Sequence, residues 1–247
     1  MDLRAFSPRL TLAGLAAVAT IAFGAAGCGV SFNGSGIDYA VEPQEFAYDF
    51  GTQMGTFPVV ACSAQNMTPC TMIPNLPAGA TASCDTGAGQ CIATIDVSAY
   101  QKVNLSQQKT FPSAILNSQV ISVVKVGAIH YWTPTNTLTV DSPAVGLSVG
   151  PQTAVKATDA GTTKLGAVPS LPKMQKTACS GGTPGTQASA CDMPLTADGK
   201  NALAVFAREI RTPFNLIISA TLTVRGGQSV PAGKIDFFLQ PVLSFVL

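Results

Sequence analysis

Apolar and polar positions alternate with a period of two near the end of the chain. Phe214, Leu216, Ile218, Ala220, Leu222 and Val224 share one parity, and Asn215, Ile217, Ser219, Thr221, Thr223 and Arg225 share the other. One face is apolar and the other mostly polar, the signature of a half-buried strand. After Gly226-Gly227 and Pro231-Ala232-Gly233 the alternation resumes, with Ile235, Phe237, Leu239, Leu243, Phe245 and Leu247 on one parity. The two runs predict a long C-terminal hairpin, with an edge or bulge at Pro241, which has no N–H for a ladder. The first run, at ~3.3 Å per residue, reaches about 40 Å. That length also permits a membrane-barrel strand, but the flanking sequence lacks the required series of similar segments.

Earlier segments predict further strands. Cys91–Ser98 follows the turn-forming Asp85-Thr86-Gly87-Ala88-Gly89, and Val120–Tyr131 is rich in β-branched residues. In the latter, Val120, Ser122, Val124, Val126 and Ala128 form the expected inward set. Asn136–Val140 and Pro143–Val149 continue the pattern, whereas 150–196 reads as loops. One short helix is expected, capped by Asp198, with Leu203, Phe206, Ala207 and Ile210 at helical spacing and Pro213 beyond its end. The sum is a mainly β chain, an antiparallel β-sandwich with a long C-terminal hairpin.

A different pattern opens the chain. Arg4 and Arg9 precede an uncharged run, Leu10–Gly27, that ends Ala25-Ala26-Gly27-Cys28. A positive start, an apolar middle and a small-residue exit describe a secretory signal; the alternative is a membrane-spanning helix. The exit resembles the lipobox of bacterial lipoproteins, a resemblance confined to about the first 30 residues. It implies cleavage before Cys28, acylation of Cys28 and attachment to the cell envelope. With Gly29 after the cysteine, the same resemblance implies the outer rather than the inner membrane. The resulting division is a signal peptide (1–27), a lipid-anchored tether (28–56) and a sandwich domain (57–247). Tyr39, Phe46, Tyr48 and Phe50 lead us to expect the later part of the tether to dock on the body.

Cysteine arithmetic agrees. Seven cysteines in an exported chain leave one over, and giving Cys28 to lipid leaves six for disulfides. Proximity in sequence favours Cys62–Cys70, Cys84–Cys91 and Cys179–Cys191. A structural zinc site is not expected, since the cysteines lack C-x-x-C spacing and the single histidine lies far from them.

Charge excludes more than it identifies. Only 11% of the 247 residues are charged and the formal net charge is +1. That rules out a nucleic-acid binder acting through bulk positive charge. From Cys28 to Gln101 there are six acids and no Lys or Arg, and from Lys102 onward 12 basic residues meet six acids. The internal explanation, preferred here, is that an acidic N-terminal part packs on a basic body. The functional alternative is a basic face that meets anionic lipid or glycan.

Catalytic chemistry is sparse. His130 is the sole histidine, in His130-Tyr131-Trp132 at a strand end, and this trio is a candidate ligand patch. Gly146-Leu147-Ser148-Val149-Gly150 matches G-x-S-x-G, but in α/β-hydrolases the histidine follows the serine, and here it precedes it. The bland reading of the match is an unrelated turn. No paired carboxylates, phosphate loop or cofactor fingerprint stands out. The expectation is a lipid-anchored envelope protein without catalytic residues, metal or cofactor. Its partners are the membrane, through the lipid on Cys28, and an envelope protein. The alternatives are a carrier with an apolar cavity between the sheets and, last, an envelope hydrolase.

Overall fold

The computed structural model describes residues 30–33, 36–51, 55–74, 76, 80–118 and 121–247. The signal segment, Cys28 and Gly29 lie outside the described residues. In chain order the strands and helices are β1 (Val30–Asn33), β2 (Gly36–Ala40), β3 (Gln44–Asp49), α1 (Thr68–Thr71), β4 (Ala80–Asp85) and β5 (Gln90–Val103). Next come α2 (Ser113–Leu116), β6 (Val123–Asn136), β7 (Val145–Pro151), β8 (Thr163–Val168), β9 (Cys191–Asp192), α3 (Ala197–Arg208), β10 (Phe214–Arg225) and β11 (Lys234–Val246).

The strands form two antiparallel sheets. One runs β1-β2-β11-β6-β9, with β3 beside β11 in line with β2; the other runs β4-β5-β10-β7-β8. Between them lies an apolar core that includes Val97, Leu147, Leu216 and Ile218 from one sheet and Tyr39, Ile129, Leu239 and Phe245 from the other. The chain is a mainly β sandwich, as the alternation predicts.

The expected C-terminal hairpin does not form. β10 and β11 are the middle strands of different sheets. Their connection carries Gly227 and Gly233 at φ 81° and 92°. A Cβ on Gly233 would come within 2.2 Å of the Thr137 carbonyl oxygen. Each strand thus gains a neighbour on both sides, and their apolar faces serve opposite walls of one core.

The segment expected to be a tether supplies β1, β2 and β3. Ile37, Tyr39, Val41 and Phe46 are buried, and β2 and β3 divide one side of β11 between them. Pro241 lies at the division. Val41 donates its N–H to the Pro241 carbonyl at 2.9 Å, and proline has no N–H to return. The buried Gln240 side chain substitutes: its Nε2 donates to the Val41 carbonyl at 3.1 Å. Gln240 Oε1 in turn accepts from Gln187 Nε2 at 2.8 Å. Pro241 is therefore in a central strand, and the irregularity falls one residue on, where Gly127 is the extra residue opposite Val242 and Leu243. An inserted residue inverts the facing of the strand beyond it. Val124 and Val126 point inward as expected, but the inward set then becomes Ile129 and Tyr131, and Ala128 leaves it.

Helices exceed the single one expected, since α1 and α2 are one-turn helices. The predicted helix is α3, and its cap is Thr196 rather than Asp198: the Thr196 hydroxyl accepts from Gly199 N–H at 2.9 Å. Asp198 sits in the first turn, where its charge suits the helix dipole. α3 packs on β6, β7 and β8 and buries Leu203 and Ala207. Residues 150–196, read as loops, also contain β8 and β9.

Two of the three expected disulfides are corrected. The bonds are Cys62–Cys84, Cys70–Cys91 and Cys179–Cys191, of which only the last is the expected pair. The reason lies in the second core cluster, where Phe57, Cys70 and Ile73 pack on Cys91, Ala93, Ile95 and Val224. Residues 57–73 cover the end of the β5–β10 inner face, and two disulfides pin this cover to the sheet.

Candidate functional site

Strand geometry separates the expected His130-Tyr131-Trp132 patch. Tyr131 turns inward, is 4% exposed, and its phenol pKa is pushed up by burial. Trp132 faces outward but stacks on Phe238, with ring centroids 5.3 Å apart and planes 8° from parallel, and is 6% exposed. Of the three, His130 opens on a cleft of about 560 Å³ shared with Asp192, Gln187, Gln240 and Ser180. Its Nδ1 lies 2.6 Å from Asp192 Oδ1, its cross-strand neighbour on β9. Ser180 Oγ donates to the Ala188 carbonyl at 2.8 Å, and among the described residues no hydroxyl is hydrogen-bonded to this histidine or carboxylate. Ser148 is on the other sheet and is not brought to His130.

Ser148 belongs to a different and larger cleft. Gly146–Gly150 is strand within β7, neither a turn nor an elbow. Register sets Ser98, Ser219 and Gly146 in one row across the outer face of the five-stranded sheet, Asp96 beside Thr221, and Ser148 beside Lys164. These small residues floor a cleft of about 790 Å³, and Lys156, Ala157 and Thr158 wall one side.

The wall is fixed by hydrogen bonds. Asp159 accepts from the N–H groups of Val155 and Lys156 at 2.8 and 2.9 Å. Those bonds, with the nearby Lys156 charge, hold its carboxyl below the usual carboxylate range. Asn215 Nδ2 on β10 donates to the carbonyls of Gln152 and Ala154 at 3.2 and 2.7 Å. Its Oδ1 is buried without a partner among the described residues.

The cleft carries two lysines against one acid. Asp96 accepts from Thr221 Oγ1 at 2.7 Å. Among the described residues, Lys164 has no ion-pair partner and Ser148 no side-chain hydrogen bond, so a cation and a hydroxyl stand together on the floor. The arrangement can hydrogen-bond a polar ligand and neutralise a negative group on it. No single strand marks this site in the sequence, because outward serines and threonines match an ordinary solvated face. Only the register unites them.

One cluster has metal-type side chains. The sulfurs of Cys62, Cys70 and Cys91 lie within 4.8 Å of one another, and each is disulfide-bonded.

The molecule is thus a two-sheet antiparallel β-sandwich with a walled polar cleft on one outer face. No protein-family model, curated protein or solved structure matches the chain.

Proposed function

We propose that this is a lipid-anchored protein of a bacterial cell envelope, attached through acyl chains on Cys28. The outer membrane is favoured by Gly29. Its sandwich binds an anionic, hydroxyl-rich partner such as a charged envelope glycan. The observation that carries the reading is the pairing of Lys164 with Ser148 on the floor of a rigidly walled cleft. The cleft on the outer face of the five-stranded sheet supports this over a carrier with a cavity between the sheets, since small-ligand sites enclose several hundred Å³ of concave space. The alternative of a hydrolase is supported by the His130–Asp192 pair alone. A serine-directed fluorophosphonate is expected to leave the protein unlabelled; labelling of Ser180 would favour the hydrolase.

The binding test compares anionic and neutral glycans of equal length on the wild type and on a Lys156→Glu, Lys164→Glu variant. The expected result is salt-sensitive binding of the anionic glycan that falls about tenfold or more in the variant, roughly the loss of one to two charge-assisted hydrogen bonds. Equal binding of the neutral glycan would sink the reading. Anchoring is tested separately: Cys28→Ala should abolish lipid labelling and release the protein from membranes.

A further inference from the structure

Cys62–Cys84 and Cys70–Cys91 both tie the 57–73 cover to the β4–β5 hairpin. They differ in access. Cys70 and Cys91 are 1% and 0% exposed, whereas Cys62 and Cys84 are partly exposed. Cys62 Sγ lies within 4.8 Å of both sulfurs of the buried bond. Cys84 is directly opposite Cys91 in the ladder. Directly opposed antiparallel residues have Cα atoms ~4.5–5.5 Å apart, within the span of a disulfide. A second pairing, Cys62–Cys70 with Cys84–Cys91, is therefore in reach without moving either strand.

We propose that these four cysteines form a thiol-reactive exchange site that takes an external thiol as its co-reactant and unclamps the cover. The external thiolate attacks Cys84 Sγ; the Cys62–Cys84 bond breaks and its electron pair leaves on Cys62. The Cys62 thiolate attacks Cys70 Sγ, forming Cys62–Cys70 and releasing Cys91 as thiolate. Cys91 attacks Cys84 Sγ in the mixed disulfide, forming Cys84–Cys91 and expelling the external thiolate. Two disulfides stand at the start and at the end, and the thiol is regenerated, so no oxidant or reductant is consumed.

The consequence is mechanical. In the present pairing both bonds join cover to sheet. After exchange one bond lies within the cover and the other within the hairpin. The cover then keeps its backbone bonds, from Cys62 N–H to Gly89, from Cys91 N–H to Val60 and those of Phe57 with Gly227 and Gln228, and the packing of Phe57 and Ile73. Opening it exposes the apolar end of the sheet at Ala93, Ile95 and Val224.

The test treats the native full chain with substoichiometric reduced glutathione, beside a thiol-free control, and quenches by alkylation. No Lys or Arg falls between Cys62 and Cys91, so cyanogen bromide at Met67 and Met72 and cleavage before Asp85 separate the four cysteines. The expected result is Cys62–Cys70 and Cys84–Cys91 fragments in the treated sample only, glutathione recovered free, and faster amide exchange over 57–73. Unchanged pairing would overturn the proposal, as would glutathione retained on the protein with the buried bond intact. A second reading uses Cys62→Ser with Cys84→Ser. Without the relay, thiol reduction of Cys70–Cys91 should slow about tenfold or more, and an unchanged rate also overturns it.

Discussion

Single side chains compensate for what the backbone cannot do. Gln240 supplies the donor that Pro241 lacks, and its burial leaves the Val41 carbonyl no other donor from that strand. Gln240→Leu should therefore cost about 1–3 kcal/mol, the penalty for stranding a buried acceptor, and the stranded Gln187 amide adds to it. Urea unfolding should show a lower midpoint with an unchanged slope. At the sandwich end, Arg225 Nη1 donates to Asp85 Oδ2 at 2.6 Å. That bond foremost, and then the Ala88 N–H, hold the Asp85 carboxyl below its ordinary value. A carboxyl depressed by folding contributes stability above its unfolded pKa and loses it as pH falls through the folded one. The Asp85–Arg225 contribution is thus complete at neutral pH and fades below about pH 4. Arg225→Gln should raise the Asp85 titration midpoint followed by carboxyl NMR. An unmoved midpoint would mean that the backbone N–H groups set it alone.

Elements are placed by contacts that leave no room for a methyl group. A Cβ on Gly199, in the first turn of α3, would lie 2.5 Å from Leu165 Cα and 2.7 Å from the Leu165 carbonyl oxygen on β8. Neither backbone atom can yield as a side chain would. Gly199→Ala should destabilise by about 1–3 kcal/mol despite alanine's better helix propensity, because overpacking outweighs it. Thermal unfolding measures the net sign, and a stabilised variant would show that α3 can lift off β8. The sequence already showed that β10 has one buried face, since alternation reports burial directly. It did not show which strand is its neighbour, because alternation specifies a face and not a partner; hence two strong strands adjacent in sequence read as a hairpin. Nor did it show the inversion at Gly127, since one extra residue leaves composition unchanged and inverts the facing of every residue from Ala128 to Tyr131. The cysteines illustrate the same limit. Proximity pairs Cys84 with Cys91, and the ladder does set them opposite each other, yet both bonds run to a cover that only folding brings there.

At the scale of the whole molecule, the acidic first third does not lie as a block on a basic body. Its strands enter both sheets, β1 to β3 in one and β4 and β5 in the other. The side-chain ion pair crossing the charge division, among the described residues, is Asp85–Arg225. This interleaving bears on how a chain acylated at Cys28 would stand at a membrane. Only Gly29 separates Cys28 from Val30, where β1 begins, and two residues span at most about 7 Å. With Cys28 acylated, the β1 edge of the six-stranded sheet is held against the headgroups, and β9 marks the opposite edge. Four strand spacings of ~4.8 Å put about 19 Å between those edges. A fluorophore on Ala47→Cys, exposed on β3, should therefore be quenched more by headgroup-labelled lipid than one on Lys200→Cys, exposed on α3. Inserting a long Gly/Ser linker after Gly29 should erase the difference while membrane attachment persists, because a flexible linker frees the body to rotate. Equal quenching without the linker would show that the body does not stand on its β1 edge. Stronger quenching at Lys200 would mean that it lies over with α3 towards the bilayer.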